Sequence, residues 1–240
     1  MHIPSLLLTN LFLLAIYSQS QPGHFSSTRG FSFDYPKQWI VATKEQKQIM
    51  QDKSRYILAK LGDVDLNRMA VIVFDPQDDD FIESLNVVIT QGKIPVNGNS
   101  RQEHARIITR QMRNAGVELK NVRSEIVSFS GRKAISVRWT IDNPLMSGSV
   151  SQWQVAMPGR NQTYILTASA GIKNFAIYES SFRMIFESFV TDGGKLGFWH
   201  SLPRSLQYAV IGGAAGAVFG ALICLFKKRP GKLKEGIRKA

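Results

Sequence analysis

Residues 206–226, LQYAVIGGAAGAVFGALICLF, hold no charged side chain and end against Lys227, Lys228 and Arg229. As a helix rising about 1.5 Å per residue, this run spans about 30 Å, the thickness of a bilayer's hydrocarbon core. It reads as a transmembrane helix, and it fixes the plan of the chain. A folded domain at residues 31–190 lies before it, joined by a linker at 191–205. A basic tail at 227–240 lies after it.

Charge sets the orientation. The tail carries seven basic residues and one Glu, and residues 21–205 carry 23 basic and 17 acidic residues, so each contributes +6 to the net charge of +12. The density is therefore greatest beside the membrane. Lys and Arg are retained on the cytoplasmic side of a span, which places the tail in the cytoplasm and the domain outside it. That means the periplasm or the outer face of the inner membrane. Lys227, Lys228, Arg229, Lys232 and Lys234 are the expected contacts with an anionic membrane surface. Nucleic acid is not expected as a partner, because no aromatic residues interleave the basic run for base stacking.

Within the span, Gly212, Gly216 and Gly220 recur every four residues and share one helix face. Small residues let two helix backbones approach closely in lipid. This face is expected to pack against a second copy or the span of an envelope protein. The single cysteine, Cys224, lies in the span, so no intramolecular disulfide forms and the domain depends on its core. Residues 1–20 carry an apolar run with Ser18 and Ser20 at signal-peptidase spacing, and read as a signal peptide.

Residues 21–30 are polar and read as a linker. Phe31-Ser32-Phe33-Asp34-Tyr35 then alternates as a half-buried strand, and Pro36 stops it. Trp39, Ile40 and Val41 form a second extended piece. Thr43 and Gln46 have the spacing of a capping box that opens a helix over 44–61. Strands are expected at 68–74 and 84–90, with an acidic turn of Asp75, Asp78, Asp79 and Asp80 between them. Ser100 and Glu103 suggest a second capping box, for a helix running to about Asn114 and ended by Gly116. In this reading His104 lies on the exposed side of the helix. Four strands follow, at 119–129, 133–141, 150–157 and 162–169, as an antiparallel meander. In the second, Ala134, Ser136, Arg138 and Thr140 are expected on a wet face. A closing helix at 174–189 carries the stripe Phe175, Tyr178, Phe182, Ile185 and Phe189. The fold class that follows is α+β, an antiparallel sheet flanked by helices in an α/β/α sandwich, plus the C-terminal span.

The opening F-x-F-x-Y-P-x-x-W (Phe31, Phe33, Tyr35, Pro36, Trp39), the mid-chain helix, the meander and the closing Glu187-Ser188-Phe189 resemble the PsbP-like fold. That group includes extrinsic photosystem II proteins, DcrB-like bacterial lipoproteins and a Ran-binding nuclear import factor. The resemblance implies an antiparallel sheet between helices, used mainly for binding and assembly. None of the group's binding motifs matches here, and the C-terminal span departs from its pattern.

No catalytic constellation emerges. His2, His24, His104 and His200 form no metal-spaced pair, the acidic turn lacks calcium-loop spacing, and no G-x-S-x-G elbow or phosphate-cradling glycine loop is present. Neither cofactor nor metal is expected. Asn161-Gln162-Thr163 has the form of a glycosylation acceptor. The leading expectation is a non-catalytic, membrane-anchored module that binds another protein of the cell envelope. The alternative is a sensor of a small ligand or metal acting through a partner span.

Overall fold

The computed structural model describes residues 21–48, 69–76, 83–142 and 149–191. Its elements are β1 (Gly23–Ser27), β2 (Phe31–Tyr35), β3 (Ile40–Val41), β4 (Met69–Phe74), β5 (Ser84–Gln91) and α1 (Gly98–Asn114). They continue as β6 (Leu119–Phe129), β7 (Arg132–Asp142), β8 (Ser149–Pro158), β9 (Gln162–Gly171), α2 (Phe175–Ser188) and β10 (Val190–Thr191). The apolar run at 206–226, with Gly212, Gly216 and Gly220, expected as a transmembrane helix, and the basic tail lie outside the described residues. Among the described residues, no helix is long and apolar enough to cross a membrane.

Seven strands form one antiparallel sheet in the order β3-β4-β5-β9-β8-β7-β6. The expected meander is its right half, β6 to β9, each strand pairing with the next. The β6–β7 turn is tight because Ser130 and Gly131 both take positive φ, at 46° and 77°. That is the twist-matched geometry of two-residue hairpins. β5 and β6 are neighbours in sequence but not in space. α1 carries the chain over the sheet from β5 to the far edge, which leaves β6 with one partner among the described strands.

Each face of the sheet has its own core. Strand alternation sends Ile72, Phe74, Val88, Ile135, Val137, Trp139, Ile141, Ala156 and Ile165 to one face, under Ile107, Ile108 and Met112 of α1. The residues between them, including Val71, Val73, Leu85, Val87, Trp153, Val155, Leu166 and Ala168, face α2. The expected wet face of β7 is therefore not wet. Ala134 and Ser136 are fully buried, while Arg138 and Thr140 are half-buried. The alternation holds, but α2 and the bulky side chains of β8 cover the second face.

The two ends of the domain lock together on this second face. Residues 23–27, expected as linker, instead form β1 and pair along β2. β10 pairs with the other edge of β2. Phe189 stacks on Phe31 and Phe33, with ring centroids 5.5 and 6.2 Å apart. Ser188 Oγ accepts from the Asp34 amide at 2.9 Å. Trp39 meets Phe182 edge-on at 5.8 Å. The opening and closing motifs are thus halves of one contact, made by residues more than 150 positions apart.

The helix ends show which capping signals hold. Thr43 and Gln46 do form a capping box, with reciprocal bonds of 2.8 and 3.2 Å, and residues 44–48 are helical. Ser100 and Glu103 do not. α1 starts earlier, and Asn97 caps it by accepting from the Ser100 amide at 2.9 Å. Glu103 instead pairs with Arg106. Gly116, at φ 78°, ends the helix as expected, and the Val117 amide reaches back to the Met112 carbonyl at 2.8 Å.

Candidate functional site

Several polar side chains of the interior bond to one another between α1 and the sheet. His104 is fully buried, on the sheet side of α1 rather than the solvent side. Its position is legible in hindsight: it stands four residues before Ile108 and eight before Met112, on the same helical stripe. His104 Nε2 donates to Gln154 Oε1 at 2.8 Å, and Gln154 Nε2 donates to Thr167 Oγ1 at 3.2 Å. Burial pushes the imidazole pKa down to about 4, against a smaller opposing effect of the Gln154 bond. His104 is therefore a neutral core group at neutral pH. Asn86 and Gln152 extend this polar row, bonding to the Thr167 carbonyl at 3.4 Å and to Ser169 Oγ at 2.9 Å.

The remaining sequence candidates are scattered. His24 is exposed and bonds Asp34 at 2.7 Å across the β1–β2 pair. Asp75 is buried and accepts from Tyr178 Oη at 3.1 Å, so this first member of the acidic turn is not solvated. Asp78, Asp79 and Asp80 lie outside the described residues, as do His2, His200, Gly212, Gly216, Gly220, Lys227, Lys228, Arg229, Lys232 and Lys234. Asn161 is exposed in the β8–β9 turn, whereas Thr163 is buried with its hydroxyl donating to the Gly92 carbonyl at 2.8 Å. Among the described residues, no three His, Cys, Asp or Glu side chains gather as a metal site.

Two surface regions stand out instead. The first is the corner where β9 runs into α2. Ile172 and Ile177 are 48% and 72% exposed there, with exposed Lys173 and Ala176 between them. The Ile172 amide bonds the Ser149 carbonyl at 2.9 Å, which fixes the corner beside the start of β8. The rest of α2 is anchored by Phe182, Ile185 and Phe186, so the corner sits on a rigid support. Sequence reasoning missed it because Ile177 is one residue off the aromatic stripe.

The second region is the outer flank of β6 and β7. The Arg138 guanidinium lies 3.8 Å from the centre of the Trp153 ring and bonds Glu179 at 2.9 Å. Arg183 is a second cation near Glu179, at 3.8 Å. Lys120 pairs with Asp142, which raises the lysine pKa and lowers that of the carboxylate. Beyond these groups runs the free edge of β6.

No protein-family model and no curated protein matches the chain. Solved structures do. The cyanobacterial PsbP protein CyanoP of Synechocystis superposes with a TM-score of 0.50 at 15% identity, covering 73% of this chain and 95% of that one. The domain has the PsbP-like fold. A Bacteroides thetaiotaomicron protein (TM-score 0.45, 10% identity, 71% of this chain and 48% of that one) is a more distant likeness. So is LpqN, involved in cell envelope biogenesis of Mycobacterium tuberculosis (0.39, 10%, 73% and 87%). At these identities the likeness concerns the fold alone.

Proposed function

We propose that the chain is a membrane-anchored, extracytoplasmic module of the cell envelope that binds another protein and performs no catalysis itself. The observation that carries this reading is the corner of Ile172 and Ile177, two large exposed apolar side chains, one in the β9–α2 connection and one in the first turn of α2. Large apolar side chains left exposed near one another in sequence at a well-anchored helix end have the character of an interaction site. The apolar run at 206–226 and the basic tail support anchoring, with the corner on the extracytoplasmic side. The PsbP-like fold supports a role in binding and assembly.

The test is photo-crosslinking in intact cells producing the full chain. A photoreactive residue at position 177 is expected to capture one envelope protein. Ile172→Asp should abolish that capture, and a probe at exposed Lys133 should not reproduce it. Equal capture from both positions, or none from 177, overturns the reading.

A further inference from the structure

The free edge of β6 is long and open. It runs 11 residues, pairs among the described residues only with β7, and leaves Val122, Arg123, Glu125, Ile126 and Ser128 exposed. Uncovered edges offer a row of unpaired backbone groups to another strand. The opposite edge, β3, offers only two residues.

The charges around Ser124 are arranged symmetrically. A bulge at Asn121 and Val122 interrupts the strand, and its register with β7 is regular from Arg123 onward. Arg123 and Glu125 lie one residue to either side of Ser124, with opposite charges. An antiparallel copy of this strand, related by a two-fold axis through Ser124, sets Arg123 against Glu125 twice. Opposite charges directly across an antiparallel pair are favourable. Any other register loses this match, and a one-residue slip moves the side chains to the wrong face.

Charged residues on an edge commonly serve to prevent pairing. The surroundings of Arg123 argue otherwise. Within the sheet it stands opposite Arg138, a like charge whose own carboxylate partner is Glu179. Among the described residues, neither Arg123 nor Glu125 makes an ion pair. A second copy supplies each with the partner that its own sheet lacks. We infer that the β6 edge is a homodimer interface, in which two copies pair antiparallel about Ser124 and join their sheets into one. This interface is independent of the Ile172–Ile177 corner.

The test uses the full chain with Cys224→Ser, so that introduced cysteines are the only ones. Ser124→Cys lies on the axis. Its Cα meets its own copy at about 4.5–5.5 Å, within the disulfide range of about 4.4–6.8 Å. Ser128→Cys lies about 27 Å from its copy at about 3.4 Å per residue. Mild oxidation in membranes is expected to link most of the Ser124→Cys chains and almost none of the Ser128→Cys chains. Arg123→Glu or Glu125→Arg, each added to Ser124→Cys, should cut the linked fraction by about tenfold, since each sets like charges face to face twice. Mixing the two differently tagged charge variants restores opposite charges at both contacts. Linked heterodimers should then return to the parental yield. Equal linking at 124 and 128 indicates chains brought together only by their spans and overturns the proposal. So does failure of the mixture to recover. Ile177→Asp should leave the 124 linkage intact, which separates this interface from the corner.

Discussion

Removing the Phe189 ring tests how the two ends of the domain hold each other. Phe189 is fully buried and touches Phe31, Phe33 and Tyr164, at 5.5, 6.2 and 5.3 Å between ring centroids. Phe189→Ala forfeits the transfer free energy of the ring and leaves a cavity between β2, β9 and the end of α2. Buried Phe→Ala changes cost about 3–5 kcal/mol. Part of this is pairwise: an aromatic contact contributes about 0.5–1.5 kcal/mol beyond area burial. Against a total stability of about 5–15 kcal/mol for a domain, the loss is severe. Urea unfolding followed by tryptophan fluorescence suits the assay, because Trp39, Trp139 and Trp153 are all buried. The midpoint should fall with little change in slope. At about 2–4 °C per kcal/mol for a domain of this size, the melting temperature should drop by about 6–20 °C. Phe31→Ala combined with Phe189→Ala should be less damaging than the two losses added, by about 0.5–1.5 kcal/mol. A loss below about 1 kcal/mol for Phe189→Ala, or strict additivity of the pair, refutes the lock.

His104 gives a pH signature. Its folded pKa of about 4 lies below the ordinary 6.5, so the unfolded chain binds the proton first as pH falls. Its penalty is absent above the unfolded value and grows as pH falls from about 6.5 to about 4, reaching roughly 3 kcal/mol. The wild-type stability minus that of His104→Gln, measured by urea unfolding across this window, should decline toward acid; a flat difference would show an imidazole that charges freely when folded. At the start of α1, Asn97→Ala should cost about 1 kcal/mol while Ser100→Ala stays near neutral, the reverse of the order the sequence suggests. Ser188→Ala removes the acceptor of the Asp34 amide and should cost about 1–2 kcal/mol in the same unfolding assay.

The strands of the meander were legible because alternation and turn residues agree along residues 119–171. The aromatic stripe of α2 was legible for the same reason, since its spacing fixes a face whatever lies beneath it. β1 was not legible. Its sequence GHFSS offers one large apolar residue, and its pairing with β2 comes from a partner rather than from its own pattern. For His104 polarity and helical phase conflict, and the phase, which puts it on the stripe of Ile108 and Met112, decides its burial. Ser136 shows the same conflict: small and polar, it lies under Trp153, whose Nε1 donates to its hydroxyl at 2.9 Å. Of the candidate surfaces, neither the Ile177 corner nor the symmetry about Ser124 shows in periodicity, since both depend on which elements end up uncovered. The F-x-F-x-Y-P-x-x-W and Glu-Ser-Phe motifs, in contrast, each read as local patterns and turn out to meet.

The most direct measurement is protease protection of the full chain carrying a C-terminal tag, in intact cells whose outer barrier has been opened. The anchored, outward-facing module proposed here requires added protease to remove the domain at 31–190 while a small tagged fragment containing 206–240 survives. Loss of the tag with the domain intact, or release of the whole chain from membranes by alkaline carbonate, would contradict it.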